Sequence, residues 1–177
     1  MTTFRSDQPL AVTLFFYWYK QTTNQVLDNP DTLGEKSILQ PPDGKDFAAP
    51  NWNSVEWFKE NLIRMTGVGI DVVLPVFWGL PGRDNSNREW SITGLKNLVL
   101  ARQQLAEEKP GSKFPQIGMF LDTNALLYIL DKRDGDRDLP DKKIDLLDPY
   151  YAKYFAKALI DYFSLVPPEF VAQIDSQ

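Results

Sequence analysis

The stretch IDVVLPVFWG, Ile70–Gly79, decides the fold. A near-continuous run of β-branched, aliphatic and aromatic residues is how a strand reads when both of its faces are covered. Pro75 inside it cannot donate to a ladder, so the run predicts a bulge or a strand near its end at that point. Two other runs share this character. LAVTLFFYWYK, Leu10–Lys20, predicts a strand over Ala11–Tyr17, and QIGMFLDT, Gln116–Thr123, predicts one over Gln116–Leu121. Each is followed by a loop and then by a helical period. Repeated strand–loop–helix order defines a parallel α/β arrangement, in which binding groups gather beyond the C-terminal ends of the strands.

The helices follow from spacing. The first is predicted from Asn53, with Asn53 and Glu56 placed as a capping box, and Val55, Phe58, Leu62 and Met65 on one face. Gly67 and Gly69 close it. The second is predicted over Thr93–Glu108, with Leu95, Leu98, Val99, Leu105 and Ala106 turned inward. The third begins at Asp148-Pro149, a cap followed by proline at the first helical position, and repeats Tyr151, Tyr154, Phe155, Ala158, Leu159 and Tyr162 until Pro167-Pro168 break it. A short helical turn is expected over Ala125–Leu130. The tail EFVAQIDSQ reads as having no partner strand.

The links after the strands are long: Lys20–Trp52, Gly79–Glu89 and the charged run Asp131–Asp145. Three βα units are too few to close a barrel of about eight strands. The expectation is α/β: the first three βα units of a (β/α)8 TIM barrel within one domain over residues 1–177, apparently truncated before strand four. A small doubly wound sheet is the alternative. Long links after strands favour the barrel, which elaborates the face carrying its site.

Composition narrows the chemistry. The 177 residues are 43% hydrophobic and 13% aromatic, enough for a sizeable core. With 19 basic and 24 acidic residues and no basic stripe, a nucleic-acid partner is not expected. Neither histidine nor cysteine occurs, which excludes imidazole acid–base chemistry, disulfides and thiolate metal sites. Asp134, Asp136 and Asp138 lack the spacing and closing glutamate of a calcium loop, so neither metal nor cofactor is expected. The apolar run Leu10–Tyr19 is too short to span a membrane, and no membrane partner is expected. No secretory signal is visible, which leaves a cytoplasmic protein, or an extracellular or periplasmic one whose signal lies outside the sequence.

The strand tips carry the candidate residues: Tyr17-Trp18-Tyr19, Trp78-Gly79 and Asp122-Thr123. Flat rings stack on sugar faces, and their polar tips bond hydroxyls. The same rings could instead fill core and helix layers, with Trp78 plugging the rim. Asp122 could accept sugar hydroxyls or act as acid or base, or it could cap the next turn through Thr123 and Asn124. Positioning is the expected role, since glycosidases need two carboxylates and one stands out here. Asp71, at the start of its strand, belongs to the opposite face.

Taken in order, FFYWY, NSVEWFKENLIRMTGVGIDVVLPVFWG, Gly94-Leu95 and PQIGMFLDT resemble the amino-terminal part of a family of glycoside-hydrolase-like proteins. That family is similar to the endo-α-mannosidase-like glycoside hydrolase family 99 barrels, and much of it is a domain of unknown function. The resemblance spans most of Leu10–Asp175. It implies a barrel acting on the glycosidic bonds of a poly- or oligosaccharide, with carbohydrate as partner and Tyr17, Trp18, Tyr19, Trp78 and Asp122, with Thr123, as contact positions. The catalytic carboxylate pair would come from later strands, so this stretch alone should lack activity. The rival expectation is a non-catalytic carbohydrate-binding or scaffold protein of barrel fold.

Overall fold

A computed structural model describes residues 3–17, 20–23, 26–28, 51–79, 89–123 and 144–175. The expected turn over Ala125–Leu130, the Asp134–Asp138 run and the tips Trp18 and Tyr19 lie outside these residues. In chain order the elements are β1 (Thr3–Arg5), β2 (Val12–Phe15), β3 (Lys20–Thr23), β4 (Val26–Asp28), α1 (Val55–Gly67), β5 (Val72–Phe77), α2 (Glu89–Glu108), β6 (Gln116–Ile117), β7 (Phe120–Leu121), α3 (Pro149–Leu165) and β8 (Gln173–Asp175). The strands β3 and β4 form an antiparallel hairpin in the first long link.

The protein is α/β with a parallel sheet at its centre. β5 pairs in parallel with β2 on one side (Val12↔Val72, Phe15↔Pro75). On the other it pairs with β6 (Val72↔Gln116) and β7 (Val76↔Phe120). The offset between β5 and β6 is the same as between β5 and β7. The expected bulge at Pro75 is therefore absent, and one continuous line of backbone passes it in register. Proline leaves its mark differently. Gly118 N–H donates to Val73 O at 2.9 Å, and the next rung would run from residue 75 back to Gly118 O. Pro75 has no N–H to give. Instead the hydroxyl of Tyr162, on α3, donates to Gly118 O. A helix supplies the bond that the strand cannot.

The tail is a correction to the sequence reading. Val171 bridges Ile117 in parallel, Ala172 N–H donates to Ile117 O at 3.0 Å, and β8 pairs with β1 (Thr3↔Gln173, Arg5↔Asp175). A fourth parallel strand thus begins beside the third. Sequence could not show it, because the segment is short and its partners are distant in the chain.

Helix boundaries follow local chemistry. Ser54, not Asn53, caps α1: its Oγ accepts from Trp57 N–H at 3.3 Å, while Asn51 Oδ1 accepts the Asn53 N–H. Gly69 then turns the chain at φ +80°, a left-handed conformation favouring glycine. α2 begins four residues before the expected Thr93, and both Trp90 and Ser91 in its first turn are buried. α3 begins as expected, with Asp148 Oδ1 accepting from Tyr150 N–H at 2.9 Å.

Alternation along β2 separates the two sides of the sheet. Phe15 meets α1, its ring 5.5 Å from Trp57 and 5.8 Å from Phe58. On the same side Phe77 packs edge-on against Tyr162 of α3 at 5.1 Å. The other side carries Val12, Leu14 and Phe16, which stay 49%, 48% and 37% exposed. Phe16 approaches Phe120 at 6.2 Å, and a Leu74 methyl occupies the space a Cβ on Gly118 would need. Among the described residues, this apolar side lacks a covering layer over β2.

Candidate functional site

The strand tips are held by α2. Tyr17 is fully buried, its ring 5.8 Å from Phe58 and 5.7 Å from Trp90, both edge-on. A Cβ on Gly94 would collide with this ring, so glycine is required there for close approach. The Tyr17 hydroxyl donates to Ser91 O at 2.7 Å, and burial pushes its pKa up. Trp78 is 7% exposed, with its ring 6.0 Å from that of Trp90. Its backbone N–H donates to Ser91 Oγ at 2.7 Å. One residue in the first turn of α2 thus ties the ends of two adjacent strands.

Tyr17 therefore presents no ring face to a sugar in this arrangement; it is a core residue. Trp78, only 7% exposed, plugs the rim. Phe77 faces Leu121 in register, so the next residues, Trp78 and Asp122, leave the sheet on neighbouring strands. Asp122 is half-buried and Thr123 is exposed. Of the described candidates, these two present polar atoms at the tips. Asp71 sits at the opposite end, as expected, with Oδ2 accepting from Ala11 N–H at 2.9 Å.

Sequence reasoning passed over two residues. Ser91 is fully buried and makes both tip contacts; the signal for it was Ser91 one turn before Gly94. Arg102 is buried at 7% exposure, and burial lowers its pKa. Its signal was position: it falls in the apolar stripe of Leu95, Leu98, Val99 and Leu105, where a charge is out of place. No group of three or more acidic residues converges as a metal site among the described residues, and none of the described helices is long and apolar enough to cross a membrane.

The fold and tips define an α/β protein whose parallel strands carry an acidic and aromatic C-terminal rim. More particularly, the chain belongs to a family described as a domain of unknown function, DUF5010, whose model matches residues 4–177. No curated protein and no solved structure matches the chain.

Proposed function

We propose that this chain forms the amino-terminal part of a glycoside-hydrolase-like (β/α)8 barrel, binding a poly- or oligosaccharide at the C-terminal ends of its strands. The observation that carries the reading is strand order. β2, β5, the β6–β7 line and the segment from Val171 neighbour one another in the order they occur in the chain. A barrel advances in that way, whereas a doubly wound sheet reverses at a switch point and carries helices on both faces. The apolar side bearing Val12, Leu14 and Phe16 suits a barrel interior, where layers of inward side chains pack against those of further strands.

In this reading Asp122, at the tip of the third strand, accepts sugar hydroxyls and positions the ring. Trp18 and Tyr19 supply stacking surfaces, and Trp78 seals the floor. Hydrolysis would pass through an oxocarbenium-like transition state, with the acid and the base or nucleophile supplied by later strands. Titration of the chain against a panel of oligosaccharides tests this. The expected result is saturable binding without hydrolysis, lost in Asp122→Asn and Trp18→Ala with cooperative unfolding retained. Absence of glycan binding by the wild-type chain would sink the proposal; binding indifferent to both substitutions would remove these residues from it.

A further inference from the structure

At the opposite end of the sheet from these tips, a cleft of about 580 Å³ opens beside Asp71 and Gln116. That lies within the roughly 300–1,000 Å³ of small-ligand pockets. Arg102 lines it, buried at 7% exposure, with its guanidinium 4.9 Å from the Phe170 ring and 5.5 Å from the Phe114 ring. Its hydrogen bonds leave from one edge: Nε donates to Pro115 O at 3.1 Å and Nη2 to Phe114 O at 3.5 Å. Both acceptors are neutral. Among the described residues no carboxylate forms an ion pair with Arg102, and a buried charge without one is costly. Its second fork, Nη1 with the remaining Nη2 hydrogen, matches an oxyanion's two oxygens in spacing.

The rest of the cleft adds to this. Lys113 supplies a second cation, while Phe4, Ile70 and Phe114 give apolar walls. Asp71 is the carboxylate in the lining, and one of its oxygens is already engaged by Ala11 N–H. Two cations against one anion leave the lining one positive charge in excess, in a protein whose net charge is −5.

We propose that this cleft binds a singly charged organic carboxylate with an apolar ring or chain, its oxygens on the free edge of Arg102 and beside Lys113. The site stands apart from the proposed sugar-binding tips, so either can fail without the other.

Calorimetric titration with benzoate tests it, with the cation benzamidine and the dianion phenyl phosphate as comparison probes. Saturable one-to-one binding of benzoate is expected. It should weaken at least about tenfold in Arg102→Gln, the scale of one lost charge-assisted contact. Lys113 is exposed, so Lys113→Gln should weaken binding several-fold while leaving unfolding unchanged, which keeps the proposal testable if Arg102→Gln fails to fold. Failure of benzoate to saturate, or equal binding by Lys113→Gln and wild type, would overturn it. So would benzamidine binding as well as benzoate does, or phenyl phosphate binding more tightly.

Discussion

The two ends of the sheet handle buried polarity in opposite ways. At the C-terminal tips two buried polar groups share one close partner: the Tyr17 hydroxyl and the Trp78 amide both end on Ser91, at 2.7 Å. At the N-terminal end Arg102 carries a full charge into the interior with two carbonyls and two rings for company. Closed hydrogen bonding fixes geometry, while an open charge with space beside it leaves capacity for a ligand. The tips are thus built for rigidity, and the far end retains unspent electrostatic attraction.

The contrast can be broken most forcefully at Tyr17. Replacing it with Ala empties a site at the centre of the aromatic core, and a loss of about 3–5 kcal/mol is expected in denaturant unfolding. Ser91→Ala is smaller and more specific. It leaves the buried Trp78 N–H without its acceptor at about 1–3 kcal/mol, with little change in volume. If Ser91→Ala proved neutral, Ser91 would not be the tie between the two strand ends.

A double-mutant cycle probes the seam at Pro75. Tyr162→Phe in wild type should cost about 0.5–1.5 kcal/mol through loss of the bond to Gly118 O. In a Pro75→Ala background residue 75 can donate to that carbonyl itself, so the same substitution should cost less. Equal costs in both backgrounds would show that Tyr162 does not stand in for the missing rung.

The smallest change is expected at Arg102. Arg102→Met should cost less than about 1 kcal/mol, because removal of the poorly compensated charge offsets the lost hydrogen bonds to the Pro115 and Phe114 carbonyls. A large loss of stability would turn Arg102 into a structural anchor and erase the difference between the two ends.

Alkaline titration tests the buried phenols. Burial raises the pKa of both Tyr17 and Tyr162, so the folded state holds these protons more tightly than the unfolded chain does. Their contribution is fully present below the ordinary tyrosine value of about 10 and drains away as pH climbs from there. Tyr17→Phe should flatten this decline in unfolding curves measured across that range; an unchanged slope would mean that its phenol does not titrate with unfolding.

Much of the framework was legible because it is local. The three apolar runs, the helical stripe around Leu95 and Leu98, and the Asp148-Pro149 start all rest on spacing within one element. The α1 cap was displaced by one residue because Asn53 and Ser54 are both capable caps, and only geometry selects between them. The fourth strand was illegible for a different reason: Val171–Asp175 gains its partners, Ile117 and β1, only once distant segments meet. At the site, Asp122 could be placed at a strand tip from sequence. The burial of Tyr17 could not, since it depends on Gly94 of a separate helix leaving room for the ring.

Pro75 has one more consequence. By handing Gly118 O to a helix, it makes the line carrying Asp122 answer to two masters: the neighbouring strand through the ladder, and α3 through a single phenol. Tyr162 is therefore a tie from α3 to the middle of that line. The seam between β2 and β5 is held by a helix at its end instead, through Ser91 of α2. The Gly118 carbonyl, four residues before Asp122, thus depends on α3 for its bond on that side and not on the neighbouring strand.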